Sequence, residues 1–158
     1  MLIVLFRHGI AEKKDGEKPD EERRLTDEGH RKMKRISKRV AKMIPDADAI
    51  YSSPLLRAWE TAEWLQKRYE RKLEIQSADA LEPGRDPEEF RALLRRSSSS
   101  CAFFVGHEPH LSSLMLALTK MHPESEVALK KGGCYGLEMD GPDDVARLRF
   151  MLEPALLE

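Results

Sequence analysis

The sequence predicts one α/β domain built as a three-layer α/β/α sandwich, its sheet mostly parallel with an antiparallel edge. Three observations carry this. Two apolar runs without alternation, Leu2 to Phe6 and Cys101 to Val105, have the composition of strands buried on both faces. Helix-period stretches alternate with strand candidates along the chain, the pattern that builds a helix-covered parallel sheet. Finally, Asp140-Gly141-Pro142 is a turn signal between the last two strand candidates, so a hairpin closes one edge. At 158 residues the chain is long enough for one core and short for two, and residues 1–158 are expected to form a single domain.

The elements follow in order. After the first strand, Glu12 to Arg24 is dense in charge and holds Gly16 and Pro19, which reads as an exposed loop with no catalytic duty. Thr26 is the N-cap of a helix with Asp27 and Glu28 at its positive end and Met33, Ile36, Val40 and Met43 at helical spacing; Pro45 ends it. Its outer face carries Arg31, Lys32, Lys34, Arg35, Lys38, Arg39 and Lys42, a basic stripe that reads first as a solvated face. Ala49 to Tyr51 forms a short strand. Ser52-Ser53-Pro54 then opens a second helix with Ala58, Ala62, Leu65 and Tyr69 inward. Leu73 to Gln76 reads as a strand, and Asp86-Pro87-Glu88-Glu89 starts a helix running to about Arg96. Gly106-His107-Glu108-Pro109 follows the second buried strand, then an apolar helix over Leu111 to Met121. Cys134 to Met139 and Val145 to Leu152 supply the closing hairpin.

Composition narrows the function. Charged residues make up 35% and the net charge is −1, with mean hydropathy −0.56, so neither nucleic acid nor a membrane is the expected partner. The opening apolar run is too short for a signal segment and ends in Arg7, which points to a cytoplasmic protein. Cys101 and Cys134 stand apart without a paired spacing, so both read as core residues and no metal is signalled.

Ligands of such sheets bind at the carboxyl ends of the strands, which here carry Arg7-His8-Gly9, Ser52-Ser53-Pro54 with Arg57, and Gly106-His107. Two buried strands each deliver a histidine. Arg7 and Arg57 offer planar forks of donors suited to a phosphate or carboxylate, so the set describes an oxyanion pocket.

Arg7-His8-Gly9, Leu25-Thr26 with Gly29, Ser52-Ser53-Pro54-Leu55-Leu56-Arg57-Ala58 with Thr61-Ala62, and Gly106-His107 together resemble the histidine phosphatase superfamily. The order and spacing of the four motifs match over nearly the whole chain. The short length and the Gly106-His107-Glu108-Pro109 form resemble its small SixA-type branch, the protein phosphohistidine phosphatases. The resemblance implies a phosphoglycerate mutase-like fold and a metal-independent phosphatase without a cofactor. It further implies His8 as nucleophile through a phosphohistidine, with Arg7, Arg57 and His107 holding the phosphoryl oxygens. Glu82, in Leu81-Glu82-Pro83-Gly84, is the candidate general acid, with Glu108 second; an imidazole leaving group would need little acid help. The expected substrate is phosphohistidine in a partner protein, handled by a monomeric enzyme. A small-molecule phosphomonoesterase and a non-catalytic phosphate-binding module stand as alternatives.

The remaining polar residues read as structural. His30 and His122 have no sequence partner and are expected at the surface, and Trp59 and Trp64 are expected to pack. His107-Glu108-Pro109-His110 lacks metal-ligand spacing, although His110 is placed near the pocket mouth. Lys130-Lys131-Gly132-Gly133 reads as a solvated turn before the hairpin.

Overall fold

A computed structural model describes residues 1–70, 73–122, 124 and 127–157. Among these residues six strands form one sheet: β1 (Leu2–Arg7), β2 (Ala49–Ser52), β3 (Ile75–Ser77), β4 (Cys101–Gly106), β5 (Cys134–Glu138) and β6 (Arg147–Leu152). Their spatial order is β3-β2-β4-β1-β5-β6. The first four in that order run parallel, while β5 pairs antiparallel with β1 and β6 antiparallel with β5. The expected mostly parallel sheet with an antiparallel edge is therefore present.

Burial explains the apolar runs. Along β1, Ile3 and Leu5 face one core while Val4 and Phe6 face the other, and all four are fully buried. β4 divides in the same way, Ala102 and Phe104 against Phe103 and Val105. A strand with two dry faces cannot alternate polar and apolar residues. On one face lie α1 (Asp27–Met43), α2 (Leu56–Gln66) and the short α5 (Pro154–Leu157), and on the other α3 (Pro87–Arg96) and α4 (His110–Thr119).

The helix starts follow local chemistry. Thr26 Oγ1 accepts from Gly29 N–H at 3.0 Å, and the Asp86 carboxylate accepts from Glu88 N–H at 2.8 Å, each satisfying an orphan donor of a first turn. Gly29 is required by a close approach, since a Cβ there would lie 2.1 Å from the Ile10 carbonyl oxygen.

Several local expectations shift. Met43 is 54% exposed, because it is the last residue of α1 and lies one turn beyond the last buried contact, Val40. The strand expected at Leu73 to Gln76 is Ile75–Ser77, although Leu73 itself is buried. Tyr69 lies past the end of α2 and anchors by donating its hydroxyl to the Ile44 carbonyl at 2.8 Å. Val145 is outside β6 and 42% exposed. Among the described residues, no helix is long and apolar enough to cross a membrane.

Candidate active site

The sheet register assembles the histidines. Arg7 pairs with Gly106 across β1 and β4, and His8 N–H donates to the Gly106 carbonyl at 3.0 Å. Neighbouring parallel strands thus end together and release His8 and His107 side by side, with ring centroids 5.1 Å apart and planes inclined at 55°. β2 brings the third strand end, where Ser53 N–H donates to the Val105 carbonyl at 2.9 Å. All three residues are buried.

The two rings use opposite nitrogens. His8 Nδ1 lies 2.7 Å from the Gly9 carbonyl, which can only accept, so Nδ1 carries the proton and Nε2 presents a lone pair. His107 Nε2 lies 2.8 Å from Ser53 Oγ, and that oxygen already accepts from Leu55 N–H at 3.3 Å. With the Ser53 hydroxyl donating to His107 Nε2, the ring proton sits on Nδ1, which is then an N–H donor. Both rings stay neutral. Burial pushes His8 down to about 3, and the cations Arg57, Arg7 and Lys131 oppose its protonation further, against the raising effect of the Gly9 carbonyl. Burial likewise pushes His107 down to about 2, helped by His8 and Arg57.

Two guanidiniums complete the pocket. Arg7 stands at the end of β1, and one Nη donates to the Leu129 carbonyl. Arg57 is in the first turn of α2 and only 3% exposed, so its charge requires a partner. Asp20 supplies it: the Arg57 Nη atoms donate to the Asp20 carbonyl at 2.6 Å and to its carboxylate at 2.9 Å. That corrects the sequence reading of Glu12 to Arg24 as a loop without a site duty. A short 3-10 turn, Asp20–Glu22, comes back over the pocket, and Arg57 and Arg23 hold the Asp20 carboxyl below its usual range against the opposing effect of burial. Thr61, expected to pack, also makes polar links, accepting from Gly9 N–H at 3.0 Å and donating to the Arg57 carbonyl at 2.7 Å.

One further feature unites these side chains. Among the described residues, the buried side-chain nitrogens without a hydrogen-bond partner are Arg7 Nε, Arg57 Nε and His107 Nδ1. A buried unsatisfied donor costs about 1–3 kcal/mol, and all three belong to side chains near His8: Arg7 and Arg57 act on it through their charge, and the His107 ring lies 5.1 Å away.

The candidate acids differ in availability. Glu82 lines an open cavity of about 520 Å³ with Asp20, Glu21, Pro54, Leu55 and Pro83, and its carboxylate accepts from Arg85 at 2.7 Å. Glu108 has both oxygens committed to Ser112 and to Leu129 N–H. His110 is buried, with Nε2 2.9 Å from the Ala80 carbonyl, and lies close enough to act on His107. Lys131 is exposed yet close enough to act on His8, so the basic turn borders the site. His30 is not a bare surface residue: Trp64 Nε1 donates to its Nδ1 at 3.0 Å. His122 is exposed, as expected. In the sequence Ser53 is marked only by its place in the Ser-Ser-Pro start, and nothing in the polar loop marks Asp20.

The fold thus brings two buried imidazoles and two guanidiniums together beyond the carboxyl ends of β1, β2 and β4. The model of the histidine phosphatase superfamily (branch 1) matches residues 3–82, about half the chain, and an uncharacterized protein of Picosynechococcus sp. is 32% identical over 87% of this chain and 84% of its own. The chain belongs to the histidine phosphatase superfamily. Among solved structures it is similar to the protein histidine phosphatase SixA complexed with tungstate, with TM-score 0.85 and 19% identity over 100% of both chains. It also resembles a candidate phosphohistidine phosphatase SixA from Agrobacterium tumefaciens, at TM-score 0.77 and 21% identity over 97% of each chain. A mycobacterial glucosyl-3-phosphoglycerate phosphatase in complex with VO3 follows at TM-score 0.73 and 16% identity, covering 96% of this chain and 99% of that one. The phosphoglycerate mutase-like fold expected from the motifs is thus the observed one.

Proposed function

We propose that the protein is a metal-independent phosphatase working through a phosphohistidine on His8, and that its favoured substrate is phosphohistidine in a partner protein. The observation that carries the reading is that Arg7, Arg57 and His107, each with a buried and unpaired nitrogen, surround a neutral imidazole with a free Nε2. The Nε2 lone pair attacks phosphorus, and the bond from phosphorus to the leaving atom breaks as the new P–N bond forms. The guanidiniums and His107 Nδ1–H receive the charge on the phosphoryl oxygens. Water then attacks the phosphorus, breaks the P–N bond and releases phosphate, returning His8 to its neutral form. Glu82 is proposed to give a proton to an alkoxide leaving group, an imidazole leaving group needing little such help; it shares a cavity wall with Asp20, the partner of Arg57, whereas both Glu108 oxygens already accept hydrogen bonds.

A small phosphoester is the second reading on the same chemistry. The domain is proposed to act alone as a monomer. The test is phosphate release from a phosphohistidine-bearing protein, in chelator, by wild type and His8→Ala. Release by wild type that disappears in the variant is expected. Release unchanged by the substitution overturns the mechanism, and turnover confined to small phosphoesters overturns the substrate.

A further inference from the structure

Glu108 follows His107 directly, but its carboxylate faces another task. Oε1 accepts from the Ser112 hydroxyl at 2.8 Å and from Leu129 N–H at 2.8 Å, while Oε2 accepts from Ser112 N–H at 3.2 Å. The Leu129 peptide carries the contact onward, because its carbonyl accepts from Arg7 Nη1. One carboxylate in the turn between β4 and α4 thus grips a residue 21 positions downstream, which in turn grips an arginine 122 positions upstream. Leu129 is 1% exposed and lies in the irregular stretch before β5, where no ladder fixes its peptide. The Tyr135 hydroxyl, 3.1 Å from Ser112 Oγ, closes the network from behind.

We propose that Glu108 is a positioning residue for Arg7: by holding the Leu129 peptide it fixes the Arg7 guanidinium so that Nε stays turned to the phosphoryl group. The proposal rests on the phosphatase reading above. It separates Glu108 from proton transfer, for which its oxygens are not available. A long, flexible side chain held at one Nη loses less freedom when the anion arrives, so the contribution lies in preorganisation.

A double-mutant cycle tests it, read as inorganic phosphate affinity and as kcat and KM with p-nitrophenyl phosphate. Glu108→Ala is expected to weaken phosphate binding and kcat/KM by about tenfold, and Arg7→Ala by more. The double variant is expected to be no worse than Arg7→Ala, because Glu108 acts only through Arg7. Glu108→Gln, which keeps an oxygen for Leu129 N–H, is expected to restore most of the loss. Losses that multiply in the double variant, with wild type active, overturn the proposal and leave the functional reading standing. A wild type that neither binds phosphate nor turns over overturns the functional reading and this proposal with it. Should Glu108→Ala not fold, the cycle is run with Glu108→Gln, whose smaller loss must likewise vanish against Arg7→Ala.

Discussion

β1 and β4 are neighbouring parallel strands of six residues, each followed directly by a histidine, yet the two rings make opposite bonds. His8 spends Nδ1 on the Gly9 carbonyl and keeps Nε2 as a lone pair, whereas His107 spends Nε2 on Ser53 and keeps Nδ1–H. In the proposed mechanism, one backbone acceptor and one hydroxyl donor thus make a nucleophile and an oxyanion donor from the same side chain. The general lesson concerns the partner: a carbonyl forces its nitrogen to be protonated, and a hydroxyl whose oxygen already accepts is free to donate. Burial keeps both rings neutral so that this division holds.

The comparison can be broken by substitution. His107→Ala removes an oxyanion donor and leaves the nucleophile, so kcat is expected to fall by about 10²–10³, with a phosphoenzyme still forming slowly. Ser53→Ala is gentler. It releases His107 Nε2, allows the proton to move there, and turns a lone pair toward the phosphoryl oxygens; kcat/KM is expected to fall about tenfold and to recover in Ser53→Thr. Unchanged kinetics in Ser53→Ala would show that Ser53 does not set the tautomer.

Acid sharpens the comparison through stability, leaving turnover aside. Both histidines have folded values below the unfolded one near 6.5, so below that pH the unfolded chain binds protons that the folded chain refuses. Stability is therefore expected to be full above about pH 6.5 and to decline toward pH 3, with each histidine adding up to about 1.4 kcal/mol per pH unit to the slope. Chemical denaturation of wild type and His107→Ala between pH 7 and about pH 4 checks it. A slope unaltered by the substitution would contradict the neutral-ring assignment.

What was legible in the sequence depended on distance along the chain. Thr26 and Asp86 were readable as caps because each bonds within three residues of itself. The strand ends were readable because apolar runs stop at Arg7 and Gly106, and register then brings the two histidines together without further signal. Asp20 was not readable: it reaches Arg57 across 37 positions, from a polar loop where nothing distinguishes it from its acidic neighbours. Glu108 was legible as a residue beside the site but not in its bonding, since Leu129 lies outside any regular element. His30 looked solitary because its partner Trp64 lies 34 positions away on α2.

The most direct measurement is the site of the phosphoryl group in the trapped enzyme. After a single turnover quenched in alkali, which preserves phosphohistidine, fragmentation mass spectrometry locates the modified residue and ³¹P NMR of the trapped protein distinguishes the ring nitrogen. The account predicts phosphate on Nε2 of His8. Phosphate on His107, on Nδ1 of His8, or on no histidine during active turnover would contradict it.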